Sequence, residues 1–253
     1  MTLKEFFDQN PRLAIAFSGG VDSSYLLYAA KNHGCDVKAY FVRSAFQPQH
    51  ELDDAMRFAY MHSVPLRIET VDVFQSPEIT SNPADRCYYC KMAVFNTLIK
   101  AAREDGYTIV CDGTNASDDA TERAGMRALA ELGVLSPLRE AGLTKAEIRR
   151  LSREAGLFTH DKPSYACLAT RIPTGTEITQ DKLDKVAAGE ELLRTMGFSD
   201  FRLRYLGDVA RLQIPASQFK MAFELKDRIT HNLKPLFQSV LLDLTPRQTE
   251  IIS

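Results

Sequence analysis

The sequence predicts an α/β protein: a doubly wound parallel sheet first, then a smaller α+β domain. Three observations predict it. Short apolar runs alternate with helix-period segments from residue 12 to about residue 113. Helical segments stop at glycines, at Gly34 and Gly106. After about residue 160 the order becomes helix, strand, strand, helix, strand. Strands alternating with helices at this spacing give parallel sheets. The expected domains are therefore 1–160 and 161–253.

The elements follow in order. RLAIAF (12–17) is an apolar run ending at Ser-Gly-Gly, and VDSSYLLYAAKNHG is periodic with Gly34 as its stop, so strand, loop and helix are expected. DVKAYFV (36–42) reads as a strand, HELDDAMRFAYMHS (50–63) as a helix and LRIETVDV (66–73) as a strand. The cysteine pair at 87 and 90 is placed in a loop before a helix over 91–106, and YTIVCDG (107–113) as a strand. Thr144 and Glu147 form a capping box that opens another helix. The stretch from Thr159 to Thr179 is loop-like. Helices are expected near 179–196 and 216–232, strands in FRLRYLGDVARLQI, and a last strand in SVLLDLTP, largely antiparallel.

Composition narrows the class. A chain of 253 residues, 45% hydrophobic and 25% charged, can bury a real core as a globular protein. No apolar run reaches the roughly 18 residues of a membrane span. MTLKEFFDQNPRL lacks the charged-then-apolar pattern of a signal peptide, so a cytoplasmic location is expected. The net charge of −2 supplies no global field for nucleic acid, and no nucleic-acid or membrane partner is expected. Five cysteines, an odd number in a reducing compartment, argue against a disulfide framework.

AFSGGVDSS (16–24) sits between the first strand and the first helix. Gly19 and Gly20 let the backbone approach an anion, the helix start supplies N–H groups, and Ser18 and Ser23 add hydroxyls. Asp22 repels phosphate unless Mg²⁺ bridges the two. The Gly-Lys-Ser/Thr end of a Walker loop is missing. SGGVDS instead resembles the PP-loop of the ATP pyrophosphatase superfamily, whose members cleave ATP to AMP and pyrophosphate. The resemblance implies ATP held by Ser18, Gly19, Gly20, Asp22 and Ser23, with Ser44 flanking the adenosine. Asp112 and Gly113, in DGTN, end a later strand at the same carboxyl edge, where such sheets bind ligands.

The thiols leave alternatives open. Cys87 and Cys90 form a C-x-x-C, a weak signal alone. A zinc site needs a second paired motif, and a thioredoxin-like pair needs another fold. With Cys167 there are three thiolates, which match a 4Fe-4S cluster with one iron left open. Cys35 and Cys111 read as packing residues.

SGGVDS, CYYCK, DGTN and ACLATRIPTGTEIT, in this order, resemble the LarE family over nearly the whole chain, and FRLRYLGDVARLQI fits it. These are ATP-dependent sulfur transferases of nickel-pincer nucleotide biosynthesis. The resemblance implies adenylylation of a carboxylate of pyridinium-3,5-biscarboxylic acid mononucleotide, followed by thiocarboxylate formation. One family strategy consumes a single cysteine, at the position of Cys167. The other holds a 4Fe-4S cluster on three cysteines, and Cys87, Cys90 and Cys167 resemble that type. Asp22 would hold Mg²⁺, Lys91 would neutralise the α-phosphate, and Cys167 would be a cluster ligand. Sulfide or a sulfur donor protein would restore the sulfur, and a homo-oligomer is expected. The rivals are a cluster-dependent tRNA thiolase, a sacrificial Cys167, an NAD synthetase-type amidotransferase ligase, and a non-catalytic iron–sulfur or zinc protein.

A two-residue turn at Gly207-Asp208 sets Arg204 opposite Arg211 and Arg202 opposite Gln213, so three arginines share a face. Like charges there destabilise a ribbon unless the face is solvated, has an acidic partner nearby or holds an anion. A mononucleotide dicarboxylate would suit Arg202, Arg204 and Arg211. The resemblance adds Arg171, and Glu190 matches a metal-binding carboxylate of the sacrificial-cysteine members.

Overall fold

A computed structural model describes residues 1–118 and 123–248. In chain order its elements are α1 (Leu3–Gln9), β1 (Arg12–Ala16), α2 (Val21–His33), β2 (Asp36–Arg43), α3 (Gln49–Met61), β3 (Leu66–Thr70), α4 (Pro77–Thr80), α5 (Arg86–Glu104) and β4 (Val110–Cys111). Next come α6 (Arg123–Glu131), α7 (Pro137–Glu140), α8 (Lys145–Glu154), α9 (Gln180–Thr195), β5 (Arg202–Leu206), β6 (Val209–Gln213), α10 (Phe219–Glu224), α11 (Lys226–Leu233) and β7 (Ser239–Leu242). Two units divide the described chain: Met1–Gln75 with Asp85–Lys162, and Ser76–Ala84 with 163–248.

In the first unit four parallel strands pair in the order β3-β2-β1-β4. Leu13, Ala14 and Ile15 are all fully buried, because β1 lies mid-sheet and is covered on both faces. Leu13, Ile15, Val37 and Phe41 join Leu26, Leu52 and Phe58 in one core. The alternate residues Ala14, Tyr40 and Val42 join Phe95, Leu98 and Ala102 of α5 in another. Helices thus cover both faces, as the doubly wound reading expects. Strand order reverses between β1 and β4, and this switch point is where such sheets bind ligands.

Local signals explain several ends. The hydroxyl of Thr2 accepts from Glu5 N–H at 3.2 Å while Glu5 accepts from Thr2 N–H at 2.8 Å, closing the start of α1. Gly34 ends α2 at φ +94°. Thr144 caps α8 from Glu147 N–H, but Glu147 turns to Arg150 at 2.7 Å, so the box is only half made. The strand expected over 107–113 shrinks to Val110–Cys111, because only Ala14 and Ile15 of β1 stand opposite it. The helices α1, α4, α6 and α7 have no counterpart among the expected elements.

In the second unit β5 and β6 form the expected hairpin, with Arg204 opposite Arg211 and Arg202 opposite Gln213. Gly207 adopts φ +69°, the left-handed geometry that such a turn needs. The expectation of a largely antiparallel sheet fails at the third strand: β7 pairs with β6 in parallel. The helices α10 and α11 form the crossover that returns the chain in the same direction. They are two helices where one was expected, since Leu225 leaves helical geometry at φ −97°, ψ 7°. Leu193, Phe201, Leu203, Leu212 and Leu233 form this unit's core.

Residues 76–84, expected in the first domain, pack with the second unit. The Asn82 amide donates to the carbonyls of Ile172, Pro173 and Thr176, and Ile178 N–H donates to Thr80 O at 2.7 Å.

Candidate active site

From β1 the chain passes through Ser18, Gly19 and Gly20 into α2. Gly19 has φ +72°, and a Cβ there would lie 3.0 Å from the Glu51 carbonyl. Only glycine meets both demands. Gly20 is the N-cap and brings no capping side chain, so the first amides of α2 remain available to an anion. The Ser18 and Ser23 hydroxyls sit 3.1 Å apart, and Gly20 N–H donates to Ser18 Oγ at 3.3 Å.

The loop after β4 meets this turn at the switch point. Gly113 comes so close that a Cβ would lie 2.9 Å from Ser23 N. The Asp112 carboxylate accepts from Thr114 N–H, from the Thr114 hydroxyl, and from the Ser136 hydroxyl at 2.7 Å, which fastens the loop. Ser44, at the end of β2, donates from its hydroxyl to Gln47 Oε1 at 2.6 Å. The structure therefore brings Ser18, Gly19, Gly20, Asp22, Ser23, Asp112 and Gly113 together, with Ser44 along the same sheet edge.

Two lysines complete the site. Asp22 pairs with Lys145 Nζ at 2.6 Å and accepts from Asn115 Nδ2 at 3.4 Å. Burial pushes the Asp22 carboxyl up, and Lys145 offsets only part of this. Asp22 is an oxygen donor beside the loop and fits Mg²⁺. Lys162 Nζ donates to Gly19 O at 3.2 Å and pairs with Glu51 at 3.2 Å and Asp54 at 2.7 Å. Burial alone would raise the Glu51 carboxyl, but His50 and Lys162 hold it below its ordinary value. Neither lysine belongs to a motif that marks it in the sequence. A signal for Lys145 did exist: a cation in the first turn of a helix opposes the helix dipole.

The thiol pair corrects an expectation. Helix α5 begins at Arg86, so Cys87 and Cys90 lie on a helix, one turn apart on one face. The reason is packing: Arg86 is buried, with its guanidinium 5.6 Å from the Phe46 ring, and this ties down the turn. Cys87 is exposed and Cys90 half-buried, whereas Cys35 and Cys111 are buried. Lys91 packs over Gly125 of α6, where a Cβ would lie 3.1 Å from Lys91 Nζ. Among the described residues no three His, Cys, Asp or Glu side chains are gathered as a metal site. The accessible thiols are soft donors, a chemistry that fits an iron–sulfur cluster.

In the second unit half-buried Cys167 precedes a turn of 3-10 helix, Leu168–Arg171. Arg171 is fully buried and donates to Glu190 from Nε at 2.8 Å and from Nη2 at 3.2 Å. It also binds the Ala166 carbonyl at 2.8 Å. Tyr165 OH and Leu203 N–H donate to Glu190 at 2.6 and 3.0 Å. Arg202 is buried, donating to the carbonyls of Phe201 and Ser164 with the Asp200 carboxylate 3.9 Å away, and burial with nearby Arg171 lowers its pKa to about 10. Arg211 pairs with Asp243 at 2.6 Å. Arg204 binds Gln213 at 2.8 Å and the Thr170 carbonyl, with no carboxylate partner among the described residues. Of the predicted anion-binding arginines, Arg204 is the one whose charge is not met by an acid.

No family model matches the sequence. The chain is 36% identical over 219 residues to the uncharacterized protein slr1717 of Synechocystis, covering 86% of this chain and 82% of that one. It is 34% identical over 236 residues to the pyridinium-3,5-bisthiocarboxylic acid mononucleotide synthase of Lactiplantibacillus plantarum, covering 92% and 86%. A weaker likeness, 26% over 202 residues, links it to the tRNA-specific 2-thiouridylase MnmA of Pseudothermotoga lettingae, covering 66% and 58%.

Proposed function

Because the chain belongs to the LarE family, that of the pyridinium-3,5-bisthiocarboxylic acid mononucleotide synthase, we propose that it is an ATP-dependent sulfur transferase of nickel-pincer nucleotide biosynthesis. The substrate is pyridinium-3,5-biscarboxylic acid mononucleotide. The observation that carries the reading is the meeting of the glycine turn, Asp22 and Gly113 at the β1–β4 switch point. That arrangement suits a polyphosphate at a helix start.

The chemistry has two steps. A substrate carboxylate oxygen attacks the α-phosphorus of ATP, and the bond to pyrophosphate breaks. Sulfide then attacks the activated carbonyl carbon, and the bond to AMP breaks, leaving a thiocarboxylate. The amides of the α2 start and the hydroxyls of Ser18 and Ser23 hold the β- and γ-phosphates, while Asp112 and Gly113 shape the opposite wall. Asp22 would hold Mg²⁺, which neutralises charge on the phosphates. Lys145 lies beside Asp22 and can follow the negative charge as pyrophosphate departs. Lys91 neutralises the α-phosphate. Cys87, Cys90 and Cys167 would hold a 4Fe-4S cluster, which would supply the sulfur. Arg204 orients the anionic substrate from the hairpin, and the Arg171–Glu190 and Arg211–Asp243 pairs, with buried Arg202, hold its surroundings in place. Sulfide or a sulfur donor protein renews the sulfur, in a cytoplasmic homo-oligomer.

The test is anaerobic reconstitution with iron and sulfide, followed by iron counting and turnover with ATP and substrate. The expected result is about four irons per chain, lost in Cys87→Ala, with release of AMP and pyrophosphate that depends on the substrate. A colourless protein that loses hydrogen sulfide from Cys167 after one turnover would shift the reading to a sacrificial cysteine. The likeness to MnmA supports a second reading, a tRNA thiolase. A tRNA mobility shift at physiological salt separates the two.

A further inference from the structure

The phosphate turn is held from behind by a chain of charges, Arg149 and Glu51 buried and Lys162 and Asp54 half-buried. Arg149 of α8 is buried and donates from Nη1 to the His160 carbonyl at 2.8 Å and from Nη2 to the Lys162 carbonyl at 2.9 Å. That fixes the backbone of Lys162. Its ammonium then reaches Gly19 O at 3.2 Å, with Glu51 and Asp54 on its other sides at 3.2 and 2.7 Å. The two carboxylates take two of the three ammonium donors, and the third is spent on the Gly19 carbonyl, which fixes where that carbonyl points.

The geometry points to Lys162 as a positioning residue that sets the direction of the Gly19–Gly20 peptide. The described chain has no cis peptide, so Gly19 C=O and Gly20 N–H point opposite ways. Holding the carbonyl toward Lys162 turns the Gly20 N–H inward, where it meets Ser18 Oγ at 3.3 Å. A peptide between two glycines has no Cβ on either side to resist rotation. Rotated by half a turn, it would present a carbonyl lone pair where the anion needs a donor. Lys162 thus keeps a hydrogen-bond donor, and keeps away an acceptor, at the pyrophosphate site. This inference rests on reading the turn as a pyrophosphate site.

The test is calorimetric titration of the intact protein with magnesium pyrophosphate, alongside thermal melts and the amide resonance of Gly20. Lys162→Met is expected to bind pyrophosphate about tenfold more weakly or worse, with a shifted Gly20 amide signal. The charge-balanced double variant Lys162→Met/Glu51→Gln separates peptide direction from simple electrostatics and replaces the single variant should that one unfold. It is expected to stay weak. Pyrophosphate binding within twofold of wild type in Lys162→Met, or restored to wild type in the double variant, overturns the inference while leaving the site reading intact. A wild-type protein that fails to bind pyrophosphate overturns both.

Discussion

Replacing Glu190 by Gln tests whether the buried Arg171–Glu190 pair is a scaffold or a reacting group. The Glu190 carboxylate accepts two bonds from Arg171, one from Tyr165 and one from Leu203 N–H, at 2.6–3.2 Å. Glutamine keeps the shape and one acceptor oxygen. Its NH₂ group must then face donors, and the fully buried guanidinium loses its counter-charge. Breaking a buried pair in this way costs about 3–5 kcal/mol, or roughly 6–20 °C in Tm for a chain of this size. Urea and thermal unfolding followed by circular dichroism read it directly. The pH dependence carries a second signature. Burial would raise the Glu190 carboxyl, but Arg171, Tyr165 and Leu203 together hold it below its ordinary value. A depressed carboxylate adds stability that is complete above its unfolded pKa, near ~4.3. That stability is lost as pH falls through the lower native value. Glu190→Gln should remove that acid-side loss. A variant as stable as wild type but inactive would refute the scaffold argument and return Glu190 to the chemistry. The Arg211–Asp243 pair, whose guanidinium is exposed, is the contrast, and Asp243→Asn should cost less than Glu190→Gln.

Two further predictions come from single sites. Gly19→Ala forces a side chain into φ +72° and within 3.0 Å of the Glu51 carbonyl. The left-handed conformation alone costs about 1–2 kcal/mol, so ATP affinity measured by calorimetry should fall about tenfold or more; unchanged affinity would show that the turn does not contact the nucleotide. At the opposite end of the sheet Lys38, Tyr40 and Arg67 hold the Asp105 carboxyl down to about 2. Its contribution is therefore complete above about pH 4 and lost between there and about pH 2. Carboxyl NMR should show that low midpoint, and a titration near the ordinary value of ~3.9 would contradict the geometry.

The parts legible in the sequence were those whose signal is local. The apolar run of β1, the Ser-Gly-Gly turn, the Gly34 stop and the Gly207-Asp208 hairpin each lie within a few residues of their cause. The start of α5 is not legible locally, because Arg86 in its first turn is buried with its guanidinium against Phe46, forty residues earlier. The role of Lys162 was missed because its partners, Gly19 and Glu51, are 143 and 111 residues away. The register of the arginine face is legible in the sequence, but the acid that meets Arg211, Asp243, comes from just beyond β7, 32 residues on. Local pattern gives the face, and only the fold gives its partners.

The attachment of residues 76–84 to the second unit has a consequence for how the chain is made. Asn82 waits for the carbonyl of Ile172, 90 residues further on. At the usual 5–20 residues per second of synthesis, that interval lasts roughly 5–20 s. Meanwhile the segment leaves the ribosome with its amide and backbone groups in water. No cut at the 162/163 boundary separates the two units cleanly. Expressing either part alone strands one side of this junction, and the nascent protein meets the same shortage every time it is translated.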